Sequence, residues 1–263
     1  MATAPQPSLP LFYQDLMPLN SRDHAKWHTK SMDAIKWAAG HHAIPLTVEE
    51  FIPAQRDFPI VFSSGENTVP LALMGLNEGV NVFLDDDGKP VGEFYLPAYV
   101  RRYPYLLARL TPEAEELSLC FDPTCDALGE FEDGNALFDA DGNPAEPVKM
   151  ALEFCDNFEQ AGAKTQAFIE EIQKHDLLMD GEIAITRDEE PGNPYVYRGF
   201  RMINEEKLRG LDAQTIKQWT ENGIMPILFA HLMSLDMMRV IFQRQFEQGK
   251  APQQTQQVVD APA

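Results

Sequence analysis

The apolar pattern of the chain changes period near Pro147, and that change restricts the fold more than any single residue does. Before it lie short β-prone runs at regular spacing: Phe58-Pro-Ile-Val-Phe-Ser, Val69 to Leu76, Asn81-Val-Phe-Leu and Gly92-Glu-Phe-Tyr-Leu. Turn residues separate them, and Asp87-Gly88 is a dipeptide that supplies positive φ in a tight hairpin. Leu117 to Phe121 adds a strand, and the turn Asp139 to Pro144, following Ala136-Leu-Phe, makes another hairpin. After Pro147 apolar residues recur at helical spacing. One helix is expected from Val148 to Gln160, broken by Gly162, and another from Thr165 to His175 with Phe168, Ile169 and Ile172 on its apolar face. Asp212 is a fair N-cap for a helix to Glu221, which Asn222-Gly223 ends. A last helix from Pro226 to about Gln248 is apolar around most of its circumference and is expected in the core. A late hairpin is expected from Gly181 to Thr186 and Tyr195 to Phe200, and a short polar helix from Asp23 to Lys30.

Strands first and helices later predict an α+β fold: a single domain over residues 11–248, with an antiparallel β-meander in the N-terminal half and helices in the C-terminal half. Residues 1–10 read as a flexible Pro-rich arm. Residues 249–263, rich in Gln, Pro and Ala, have little to bury and read as a disordered tail.

The 41 acidic against 21 basic residues, a formal net charge of -20, argue against nucleic acid as a partner, because that binding neutralises phosphates with Lys and Arg. They argue equally against anionic lipid headgroups. No signal-peptide pattern opens the sequence. The most hydrophobic stretch, Ile224 to Phe242, carries His231, Asp236 and Arg239, so direct membrane insertion is not expected. The expectation is a soluble cytoplasmic protein of open oligomeric state. Cys120, Cys125 and Cys155 form neither a Cys-x-x-Cys pair nor an even set, which suits unpaired thiols in a reducing compartment. A Cys120–Cys125 disulfide and a metal site with a distant histidine are the alternatives.

Two adjacent arginines stand out in so acidic a chain. In Tyr95-Leu-Pro-Ala-Tyr-Val-Arg-Arg-Tyr-Pro-Tyr105, Pro97 suits a helix start and Pro104 stops it, leaving about two turns. Tyr99 and Tyr103 then share a face with Arg102 beside them, while Arg101 turns away. Such a block can hold a carboxylate, phosphate or sugar with stacking help; equally, the arginines can serve internal ion pairs and a helix C-terminus. His24-Ala-Lys-Trp-His28 places two imidazoles one helical turn apart, but with no third ligand nearby. Asp85-Asp-Asp-Gly and Asp139-Ala-Asp-Gly-Asn lack the EF-hand spacing and read as turns. His231 on the last helix reads as a satisfied core histidine or, alternatively, an acid–base group. Gly-x-Ser-x-Gly, Walker and Gly-x-Gly-x-x-Gly patterns are missing, and Cys155 has no local base.

Several segments resemble the SapC family, named after a locus associated with bacterial surface-layer proteins: Leu16-Met-Pro-Leu-Asn with His24, Phe58-Pro-Ile-Val-Phe, Leu71-Ala-Leu-Met-Gly-Leu, Asn81-Val-Phe, Pro97-Ala-Tyr-Val-Arg-Arg-Tyr-Pro, Leu137-Phe with Gly142, Gly199-Phe with Asn204-Glu-Glu-Lys-Leu, and His231-Leu-x-Ser-Leu. Their order runs through nearly all of residues 11–246, and the double-arginine block is the most specific of them. The resemblance implies a role associated with transport or the cell surface and supplies no catalytic mechanism. The expectation is therefore an accessory protein that binds a protein partner or a small anionic ligand in connection with surface or nutrient-uptake systems. The candidate binding residues are Tyr99, Arg101, Arg102, Tyr103, His24, Asn81 and His231, with no catalytic residue, metal or cofactor assigned. The alternative is an enzyme acting on a peptide, amino-acid derivative or glycan, with His24 or His231 as acid–base group.

Overall fold

The main sheet takes its five strands from distant parts of the chain. In a computed structural model that describes residues 9–65, 67–111, 116–187, 192 and 194–250, the order is Leu178–Asp180, Phe200–Ile203, Ile60–Ser63, Pro70–Leu73, Ala43–Pro45. All neighbours are antiparallel, with Ile60 opposite Ala72 and Phe200 opposite Ser63. The described residues divide into two compact units, one of 9–33 with 100–160 and one of 34–99 with 161–250. Strands dominate the first half and helices the second, so the fold is α+β.

The larger unit is built around that sheet. Ile60–Ser63 and Pro70–Leu73 are buried at every position, as near-continuous apolar runs covered on both faces should be. The helix Ile224–Ser234 is pinned to the sheet at Ile60, whose N–H donates to Ser234 Oγ (2.9 Å) and whose carbonyl meets His231 Nδ1 (2.8 Å). Phe51, Phe62 and Phe168 pack ring against ring, with centroids 6.0–6.5 Å apart. The hairpin Ile183–Ile185 with Tyr195–Tyr197 forms as expected, although 188–191 and 193 lie outside the described residues.

Two of the four expected meander strands are not strands. Residues 81–84 meet the ladder pattern only at an isolated bridge, Leu84 to Pro90, and 92–96 form none. For the first of these segments the reason is Asn81. Its side chain accepts from the Phe83 N–H (2.9 Å) and donates to the carbonyls of Ala38 (3.1 Å) and His41 (3.3 Å), so it satisfies backbone groups that a partner strand would otherwise take. The turn between them is as expected. Asp85 Oδ1 accepts from the N–H groups of Asp87 and Lys89, and Gly88 holds φ 77°, where a Cβ would lie 2.6 Å from the Lys36 nitrogen.

The smaller unit has two three-stranded sheets, ordered Met17–Pro18, Ser118–Phe121, Tyr105–Ala108 and Leu128–Gly129, His28–Thr29, Asn135–Ala136. Its core gathers Phe121, Leu128, Leu137, Phe138 and Val148. The expected helix from Asp23 to Lys30 is absent. That segment runs through turns into the strand His28–Thr29, because ladder bonds to two neighbours outweigh the weak helix preference of a short polar run.

Helix Glu146–Lys174 runs for 29 residues straight through Gly162, where a break was expected. A lone glycine costs a helix only about 1 kcal/mol, less than the packing on either side supplies. It ends at Asp176, in the left-handed region at φ 52°, whose carbonyl and carboxylate both accept from Lys207 Nζ. The last helix is two, Ile224–Ser234 and Met237–Glu247, divided at Leu235-Asp236. It is not wholly a core element either. Leu228, Ala230, His231 and Ser234 are buried, but Phe229 and Met233 face outward. The stretch Ile224–Glu247 has the length and mean hydropathy, 1.5, of a membrane-crossing helix. Its inward side is nevertheless committed to the sheet through His231 and Ser234. The expected arm and tail lie mostly outside the described residues.

Candidate functional site

The sequence-predicted residues fall into different settings. Helix Ala98–Arg102 forms between the two prolines. In the smaller unit, Arg101 is exposed with its guanidinium 5.2 Å from the Phe154 ring centre. Arg102 is buried and lies 4.4 Å from the Phe158 ring centre, 5.8 Å from that of Tyr13 and 3.7 Å from Glu159. That geometry anchors the C-terminal end of the short helix to the long one. Tyr103 is buried edge-on to Tyr13, and burial, reinforced by nearby Cys125 and Asp122, raises the pKa of its hydroxyl. Tyr99 is buried in the larger unit.

His24 is only 2% exposed, its ring set edge-on against Trp27 and Phe121 and its Nδ1 3.2 Å from the Asn20 N–H. His28 points its Nδ1 at the Lys26 carbonyl instead, so the two imidazoles do not act as a helical pair. His231 is wholly buried. Its Nδ1–H donates to Ile60 and its Nε2 accepts from the Ile203 N–H (3.1 Å), which fixes a neutral ring, and burial lowers its pKa to about 4. Asn81 has the structural role given above. The three cysteines are free thiols, and burial raises the pKa of each, Cys155 to about 11. Among the described residues no group of three or more His, Cys, Asp or Glu is arranged to hold a metal ion.

A cleft that sequence reasoning passed over lies within the larger unit. One stripe of the long helix lines it at Lys164, Phe168, Glu171, Lys174 and His175, a spacing of three and four residues that puts charged and apolar side chains on the same face. Thr215 and Gln218 come from helix Ala213–Glu221, and Ile224 and Ile227 from the helix after it. Val48, Glu49, Ala167 and Asn222 complete the lining of a volume of about 610 Å³.

Glu171 is the hub. Its Oε1 accepts from the indole N–H of Trp219 (3.1 Å) and lies 3.3 Å from His175 Nε2, while its Oε2 lies 3.6 Å from Lys174 Nζ. Burial pushes its carboxyl pKa up, but the Trp219 hydrogen bond and the Lys174 and His175 charges outweigh this and hold it below the usual carboxylate range. Trp219 is fully buried and takes His175 edge-on at 5.0 Å. On the other side Lys164 Nζ meets Glu49 at 2.5 Å. Each carboxylate faces at least one cation, and each lysine carries three N–H groups against the one carboxylate beside it, so N–H donors remain available at the cleft. The available signal in the sequence was Glu171-x-x-x-His175 on a predicted helix, a pair that only the folding of Trp219 against it makes distinctive.

No match to the chain is found among curated proteins or among solved structures. The SapC family model matches residues 19–241, a span that includes the double-arginine block and the whole of the cleft-lining helix. The chain belongs to the SapC family.

Proposed function

We propose that the protein is a non-enzymatic binding protein that holds a small organic carboxylate with an apolar body in the Glu171 cleft. The observation that carries this reading is the pair of N–H donors left over on Lys164 and Lys174 above an apolar floor of Val48, Phe168, Ile224 and Ile227. In a chain of net charge -20 such a surplus is a local exception, and it favours an anionic head while the floor favours a hydrocarbon or aromatic body. An accessory role in surface or uptake systems, in the cytoplasm, is the setting that we attach to this binding; family membership and the acidic composition support it.

The acid–base alternative would run through His175, since neither His24 nor His231 lines the cleft. Its weakness is the nucleophile: Thr215, the one hydroxyl among the lining residues, donates to Asp212 at 2.6 Å as part of a helix cap.

The test is a titration of the ¹⁵N-labelled protein with phenylacetate and hexanoate, each beside its neutral amide. The carboxylates should shift the Trp219 indole N–H signal and the amides should not. Lys174→Gln, at a side chain 70% exposed and so tolerant of exchange, should weaken binding roughly five- to tenfold. Equal responses to acid and amide, or shifts that map away from Trp219, would sink the proposal.

A further inference from the structure

We propose that a second groove of the larger unit, floored by methionines and rimmed by acids, docks a basic amphipathic segment of another protein. The groove does not share residues with the Glu171 cleft, and the inference stands independently of it. Met179 and Met202 face one another across neighbouring strands, and the outward face of helix Ile224–Ser234 supplies Phe229, Leu232 and Met233. Three of these are exposed well beyond what a monomer surface requires: Met233 at 66%, Phe229 at 46% and Met179 at 40%. The volume enclosed is about 740 Å³. Phe229, Leu232 and Met233 stand at i, i+3 and i+4 on one helical stripe, and Asp236 follows in the turn just beyond it. Methionines are the side chains that repack most readily around a varied apolar partner. The all-round apolarity of this helix therefore exceeds what its buried side uses, and the excess lies in this groove.

The rim decides the partner. The charged lining residues are Glu205, Glu206 and Asp236, with no basic residue among them. The nearest cations on helix Glu205–Arg209 are engaged already: Lys207 with Asp176, and Arg209 with Glu205. Apolar anchors flanked by Lys or Arg therefore complement the groove. A second copy of this chain would bring the same acidic rim and a net charge of -20 against it. Anionic lipid is disfavoured for the same reason. Residues 1–8 and 251–263 of the chain itself contain no Lys or Arg, so neither carries the complementary charge.

The experiment uses the full chain labelled at methionine methyls. It is titrated with an 18-residue Leu/Lys peptide whose leucines recur at i, i+3, i+4 and i+7, a scrambled peptide of identical composition, and the Leu/Glu counterpart. The patterned Leu/Lys peptide alone should shift the methyls of Met179, Met202 and Met233. Phe229→Gln and Met233→Gln, which leave the net charge unchanged, should weaken it at least tenfold. A Glu206→Lys/Asp236→Lys double variant, which leaves the apolar floor intact, should weaken it likewise if the glutamine variants unfold. The proposal is overturned if the scrambled peptide binds as well, if the variants bind undiminished, or if no methyl shifts. It is also overturned if the groove methyls respond to protein concentration alone, marking a second copy, or to phosphatidylserine vesicles instead of the peptide.

Discussion

Arg101 and Arg102 are adjacent in sequence and opposite in physics. Arg102 has its charge out of water, against two rings and Glu159, and replacing it leaves Glu159 without that cation and Phe158 without its cover. Arg102→Met should therefore lower unfolding free energy by about 2–3 kcal/mol in urea titrations. Arg101→Ala, at an exposed side chain, should stay within about 0.5 kcal/mol. Comparable costs for the two would mean that the buried cation contributes nothing special. His231 carries a pH signature of its own. Its folded pKa, about 4, lies below the ordinary 6.5, so as acid is added the unfolded chain takes up this proton before the folded one does. The stabilisation from this group is complete above about pH 6.5 and is lost as pH falls toward 4, amounting to about 3 kcal/mol over that window. His231→Gln keeps one donor and one acceptor, and it should flatten the dependence of the urea midpoint on pH between 6.5 and 4. An unchanged slope would place the titration elsewhere. Helical spacing already turned Arg101 away from Arg102 and the tyrosines, and His231 already read as a satisfied core histidine beside the acid–base alternative, but residue type alone did not choose. Arg-Arg and His-x-x-Ser specify available chemistry, and only the packing of Phe158 or the Ile60 backbone decides whether that chemistry faces water.

At the level of elements, local signals succeeded where one residue sets the geometry. Asp212 caps its helix by accepting from the Gln214 and Thr215 N–H groups, and Gly223 ends it at φ 84°. They failed where a local preference competed with distant partners. Asn81 and its neighbours have strand composition, yet the Asn81 amide binds backbone some 40 residues away and no ladder forms. Gly162 reads as a breaker, and the long helix passes through it. That passage predicts a gain. A Cβ at Gly162 would meet nothing within 4 Å, so Gly162→Ala removes unfolded-state freedom without a clash and should add about 0.5–1 kcal/mol. The check is the thermal midpoint of the variant beside the parent. A lower midpoint would mean that the helix uses the glycine for a bend or a close approach not visible in its static neighbours.

For the whole molecule, chain order and spatial order differ, and this bears on what can be cut away. The smaller unit is discontinuous, residues 9–33 returning to join 100–160, and its first piece is not peripheral. His28–Thr29 is the central strand of one sheet, Met17–Pro18 flanks the other, and His24 and Trp27 pack edge-on against Phe121. The five-stranded sheet, by contrast, draws every strand from residues between 43 and 203 that belong to the larger unit. Deleting residues 1–33 should therefore remove amide protection from 105–108, 118–121 and 135–138, while 60–63, 70–73 and 200–203 keep theirs. Hydrogen exchange read by mass spectrometry distinguishes the outcomes directly. Loss of protection across both sets would show one cooperative domain, as the single pattern change near Pro147 suggested. Retention in both would mean that residues 128–129 and 135–136 stay ordered without the central strand that they flank, which the register of the His28–Thr29 ladder argues against.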